Sequence, residues 1–87
     1  MWNISLRKRA AKNIAKAPQK EREHMEHAIR DMYADPLAGD TIKLKGLETS
    51  YRRRVGAWRI LFDLYTKDCL VDITAIERRA STTYRKR

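Results

Sequence analysis

The sequence predicts an α+β fold in a single domain over residues 1–87. An N-terminal strand and a helical hairpin precede an antiparallel sheet, in the order βααβββ, with a short C-terminal basic tail or helix. Three observations predict it. Trp2-Asn3-Ile4-Ser5-Leu6 alternates apolar and polar residues, the period of a strand with one buried face. From Arg7 to Ala34 the spacing is helical, broken once by Pro18. From Tyr51 onward three alternating runs follow one another across turns short enough for hairpins.

In the first helical segment, Arg7 to Ala17, residues Ala11, Ile14 and Ala15, with Ala10 beside them, fall on one side. Lys8, Lys12 and Lys16 fall on another. Pro18 ends this helix because it disfavours helical backbone in the residue before it, and it suits the first turn of the next. In the second helix, Gln19 to Ala34, residues Met25, Ile29, Met32 and Tyr33 recur on one face with Ala28 beside them. Glu21 and Glu23 complement its dipole, and its charged residues read as a solvated face. Asp35 to Asp40 is a loop, with Pro36 and Gly39 as breakers, and Thr41 to Glu48 leads towards the sheet.

The remaining strands are Tyr51–Val55, Trp58–Tyr65 and Leu70–Glu77. Gly56-Ala57 fits a two-residue hairpin turn with glycine first, and Lys67-Asp68 marks the next turn. Trp58, Ile60, Phe62 and Leu64 make one inward face, and Val71, Ile73 and Ala75 the inward set of the last strand. Arg52, Arg54 and Arg59 then share the outer face. Arg53 falls inward, so it either pairs with an acid such as Glu48 or lies near a sheet edge.

Charge narrows the partners. Lys and Arg number 20 against 11 Asp and Glu, a net +9, of which about +6 lies in residues 51–87. Such an imbalance favours polyanions: RNA, DNA, an acidic protein or a charged surface. No apolar run approaches the ~18 residues of a membrane span, and the N-terminus lacks the apolar stretch of a signal peptide. The one cysteine, Cys69, excludes an internal disulfide, and a reducing cytoplasm is the expected location.

Several kinds of chemistry are disfavoured. Gly39, Gly46 and Gly56 lie too far apart for a phosphate-cradling loop. No set of Cys, His and acidic residues has metal-site spacing. His24 and His27 sit three apart beside the acidic face of the second helix, and Cys69 sits at a turn with no histidine near it in sequence. Arginine and tyrosine remain: Arg52, Arg54 and Arg59 on the sheet, and Arg78, Arg79 and Tyr84 towards the tail. Guanidinium groups bind phosphate in bidentate fashion and stack on bases. A tyrosine among arginines suits an unstacked RNA base, although Tyr84 could equally pack the tail onto the sheet.

LKGL, then YRRRVGAWRILF, then a closing ERRASTTY resemble, in order and spacing, the RelE/ParE superfamily of toxin–antitoxin toxins. Within it the chain is more similar to the RelE branch of ribosome-dependent mRNA endonucleases than to the ParE branch of gyrase inhibitors, which stays as the alternative. The resemblance implies metal- and cofactor-independent attack of an mRNA 2′-hydroxyl on the adjacent phosphate in the ribosomal A site. It assigns the scissile phosphate to Arg59, the leaving oxygen or transition state to Arg78, and base stacking to Tyr84. Arg52 and Arg54 would line the general-base side and grip the RNA backbone, with Lys45 and Arg79 adding contacts.

The implied partners are a cognate antitoxin, mRNA and 16S rRNA, with operator DNA engaged only together with the antitoxin. Three departures from the pattern matter. Arg52 and Arg54 stand where the toxins best matched by this tail have lysines, and a guanidinium with a pKa above about 12 is a poor general base. Ile42 and the histidine-free tail exclude a second branch, which uses a Glu before the LK pair and a tail His. Arg53 replaces a usually apolar residue. The proton acceptor is left unassigned.

Overall fold

The computed structural model describes residues 1–78. Its elements are β1 (Asn3–Leu6), α1 (Lys8–Lys16), α2 (Gln19–Met32), β2 (Thr41–Lys43), β3 (Ser50–Val55), β4 (Trp58–Tyr65) and β5 (Leu70–Arg78). The strands form one sheet in the order β1-β5-β4-β3-β2, with both helices against one face. The α+β order expected from the sequence is therefore the observed one, with two refinements. Thr41–Lys43 adds a short edge strand, β2, paired antiparallel to β3. β1 pairs with β5 in parallel, Asn3 opposite Leu70 through Leu6 opposite Ile73. A parallel pair needs a long connection, and everything from α1 to β4 supplies it.

The hairpin from β3 to β4 is set locally. Val55 pairs with Trp58 across Gly56-Ala57, and Gly56 has φ +59°. That left-handed conformation suits glycine and matches the twist of the two strands. The inward residues Trp58, Ile60, Phe62 and Leu64 are all buried and meet Met25, Ala28 and Met32 of α2 and Ala10 and Ile14 of α1. The buried face of α1 is rotated from the expected one, since Ala15 is exposed and Ala10 fully covered. Tyr33 is exposed because α2 ends at Met32, leaving the tyrosine as its C-cap.

The last strand departs from simple alternation. Leu61 pairs with Ala75 but Phe62 pairs with Ile73, so Thr74 is an extra residue. This is a β-bulge, two residues opposite one, and it reverses the facing of everything after it. The Thr74 hydroxyl donates to the Leu61 carbonyl at 3.3 Å, tying the bulge to β4. Val71 and Ile73 point into the core as the sequence suggests, but Ala75 does not: the core takes Ile76 instead. One residue further on, the bulge exchanges the faces of Glu77 and Arg78.

Two acids of α2, read from the sequence as solvated, turn to the sheet. Glu21 accepts the indole N–H of Trp58 at 2.6 Å. Asp31 lies 3.8 Å from the Arg53 guanidinium, whose side chain is only 12% exposed. Arg53 is thus inward as its register requires, and its acid is Asp31 rather than Glu48. The amphipathic face of α2 is wide enough to carry acids along its margins, which a helical wheel does not separate from solvent.

Gly39 packs over this arginine. Its φ is +71°, and a Cβ built there would stand 2.6 Å from Arg53 Cζ and Nε. Gly39→Ala should cost about 1–3 kcal/mol, from left-handed strain together with displacement of a nearly buried guanidinium. Urea denaturation read by tryptophan fluorescence would measure it, and an unchanged midpoint would show that Arg53 moves aside freely.

At the opposite side of the sheet, Arg7 grips Asp72 in a fork, Nη2 to Oδ2 at 2.8 Å and Nε to Oδ1 at 3.3 Å. The hydrogen bond with Asp72, and then its charge, push the Arg7 pKa up. The contact fixes the start of α1 to β5.

Candidate functional site: an arginine face on the sheet

Alternation along β3 puts Arg52 and Arg54 on the sheet face away from the helices, because Tyr51 and Val55 pack into the core from the other side. Arg54 pairs directly with Arg59 of β4. Like charges opposite one another across a strand pair are unfavourable, and two carboxylates flank the row. Asp40, at the end of the loop before β2, lies 3.6 Å from Arg52 Nη2 through Oδ1 and 3.8 Å from Arg54 Nε through Oδ2. Its position is fixed by its own carbonyl, which accepts the Arg54 amide N–H at 2.9 Å. On the far side Glu77 Oε1 lies 3.3 Å from Arg59 Nη2.

The face thus reads Asp40, Arg52 and Arg54, Arg59, Glu77. Three guanidiniums share the face and two acids stand at its ends. Arg52 has an 11% exposed side chain, while Arg54 and Arg59 are 42% and 41% exposed. The Nε atoms of Arg52 and Arg59 are both buried with no hydrogen-bond partner among the described residues. An anion would meet the exposed parts of Arg54 and Arg59, whose guanidinium geometry phosphate oxygens fit. The arrangement can hold an extended anion and stabilise charge growing on it.

The other residues singled out from the sequence are placed differently. Arg78 ends β5 opposite Trp58, not Arg59, and its Cζ lies 5.8 Å from the Trp58 ring centroid. The bulge is the reason. The described structure therefore sets Arg78 beside Trp58 rather than with Arg52, Arg54 and Arg59, and the rest of the wall expected from Arg78 and Tyr84 lies outside the described residues. Arg79 and Tyr84 lie outside the described residues. Lys45 is exposed in the turn between β2 and β3, beside Gly46, and makes no ion pair among the described residues. No group of three or more metal-ligating side chains occurs among the described residues.

Asp40 and Glu77 are the functional candidates that sequence reasoning missed. Asp40 sits in a loop without periodicity. Glu77 sits on the wrong side of an unbroken alternation.

No protein-family model matches the chain. A curated protein of Methanocaldococcus jannaschii named as the toxin RelE1 is 26% identical over 81 residues, 90% of each chain. The RelE chain of the archaeal RelE–RelB complex from Pyrococcus horikoshii OT3 has a TM-score of 0.79 and 23% identity, over 92% of this chain and 97% of that one. The isolated E. coli RelE toxin has a TM-score of 0.80 and 17% identity, over 97% and 92%.

Proposed function

We infer that this chain, which shares the RelE fold and resembles a RelE toxin along nearly its whole sequence, is the toxin of a type II toxin–antitoxin system. The superfamily resemblance read from LKGL, YRRRVGAWRILF and ERRASTTY is borne out by those relatives. Beyond it, we propose that the chain cleaves mRNA on the ribosome. The 2′-hydroxyl attacks the adjacent phosphate and leaves a 2′,3′-cyclic phosphate and a 5′-hydroxyl. The observation that supports this reading is the arginine face, with Arg52, Arg54 and Arg59 on one side of the sheet and Arg54 directly opposite Arg59.

In this reading Arg59, on the central strand of the sheet between Arg54 and Glu77, holds the scissile phosphate. Arg52 and Arg54 bind the neighbouring backbone and stabilise the charge that builds on the pentacoordinate phosphorus. The proposal rests on these three residues; Arg78, set beside Trp58, does not carry it. A chain acting on translating ribosomes would work in the cytoplasm.

The deciding experiment is primer extension on mRNA with ribosomes stalled at a defined codon. A new cut within the A-site codon, absent from free mRNA, is the expected result. Intact mRNA together with gyrase-dependent DNA breaks would replace this reading with the gyrase-inhibitor one. A partner of the RelB kind is proposed with it, on the strength of the P. horikoshii RelE–RelB complex. Such an antitoxin would cover or distort the arginine face.

Electrostatics offers a further check. Binding to single-stranded RNA should weaken linearly in log–log salt titration, with a slope of about −0.7 per phosphate neutralised. Arg54→Ala, which removes one exposed cation, should flatten that slope by about 0.7. An unchanged slope would take Arg54 out of the RNA contact.

A further inference from the structure

We propose that Glu77 is the proton acceptor for the 2′-hydroxyl, an assignment that rests on the endoribonuclease reading above. The arginine face lacks a base of its own, because a guanidinium does not give up its proton near neutrality. Four carboxylates stand on or beside this face, and only Glu77 both contacts Arg59 and keeps an oxygen without a hydrogen bond among the described residues. Asp40 turns one oxygen to Arg52 and the other to Arg54. Asp72 is buried and held in the Arg7 fork. Asp63, across from Asp72, accepts the Ser50 and Thr49 hydroxyls, both at Oδ1, and makes no ion pair with Arg52, Arg54 or Arg59 among the described residues. Glu77 alone touches Arg59, through Oε1, and its Oε2 makes no hydrogen bond among the described residues.

Its position follows from the bulge. With the extra residue Thr74, Glu77 stands opposite Arg59 on the outer face; in an unbulged register Ile76 would stand there and Glu77 would face inward. The charged groups facing Glu77 are Arg59 on β4 and, one strand further, Arg54 on β3; Arg78 adjoins it along β5. A phosphate taken by Arg59 would bring the adjoining 2′-hydroxyl to the carboxylate's free side. That is the reach a general base requires.

The step balances without a cofactor. The 2′-hydroxyl proton passes to Glu77 as the 2′-oxygen bonds to phosphorus. The bond from phosphorus to the 5′-oxygen breaks, and the departing oxygen takes a proton from water. The hydroxide so formed takes back the proton held by Glu77.

The test is single-turnover cleavage of ribosome-bound mRNA across a pH series by wild type, Glu77→Gln and Glu77→Asp. Glu77→Gln keeps an acceptor for Arg59 but cannot take a proton. It should cut about 10²- to 10⁴-fold more slowly with mRNA affinity retained, and lose the acid-side fall in rate that wild type shows. Glu77→Asp should keep that fall with a smaller loss of rate, so the assignment is tested even if one variant folds poorly. Wild-type rates in Glu77→Gln would overturn it, as would a slow rate with the same acid-side fall, which would make Glu77 a positioning residue for Arg59. If wild type itself leaves ribosome-bound mRNA uncut, the endoribonuclease reading fails, and that outcome is seen before any variant is assayed.

Discussion

Arg59→Ala is expected to slow cleavage of ribosome-bound mRNA by about 10²- to 10³-fold, the usual loss on removing one charge-stabilising donor from a reacting centre. Stability should hardly change. The Arg59–Glu77 pair is 41% and 49% exposed, and exposed ion pairs contribute about 0–1 kcal/mol. Removing Arg59 also relieves its repulsion with Arg54 directly across the strand pair. A urea midpoint equal to wild type beside a collapsed cleavage rate is therefore the diagnostic combination. Arg59→Lys should recover only part of the rate, because an ammonium supplies charge without the bidentate fork. Equal activity in all three proteins would place the scissile phosphate elsewhere.

Phe62→Ala should have the largest effect on the fold. Phe62 is 1% exposed, at the centre of the core, and its ring stacks on Tyr51 at 5.6 Å between centroids. Truncating a buried phenylalanine costs about 3–5 kcal/mol. A domain of this length has about 4–13 kcal/mol in total, so the variant should unfold at much lower urea or only fold partly near body temperature. Calorimetry or a urea transition would read the loss directly. Phe62→Leu, which leaves a smaller void, should fall between. A loss below 1 kcal/mol would mean that α2 and β5 collapse onto the gap.

The regular parts of this structure were readable because burial imposes a period. Trp58, Ile60, Phe62 and Leu64 alternate without interruption, and every one of them is in the core. The same alternation puts Arg52, Arg54 and Arg59 on one face. Period-based reasoning ends where the backbone adds a residue. Nothing in Ile73-Thr74-Ala75-Ile76 distinguishes a bulged strand from a straight one, since apolar residues stand on both sides of the irregularity. There Ala75 turns to the outer face while staying buried, and Arg78 comes to stand opposite Trp58. Asp40 and Asp31 were hidden for a different reason. Each finds its arginine through tertiary approach, Asp40 from a loop and Asp31 from the margin of a helix. The acids of α2 look alike in sequence, and only the path of Arg53 under Gly39 selects one of them.

The parallel pairing of β1 with β5 bears on how this chain is made. Asn3 meets Leu70 and Leu6 meets Ile73, so β1 waits for β5, the sheet's last strand in sequence, before it has a neighbour. Contacts so distant in sequence form late and slow the search for the native state. β5 also carries Glu77 against Arg59. The strand that finishes the sheet is therefore the strand that completes the candidate site, and a half-translated copy would own the arginine hairpin without its carboxylate.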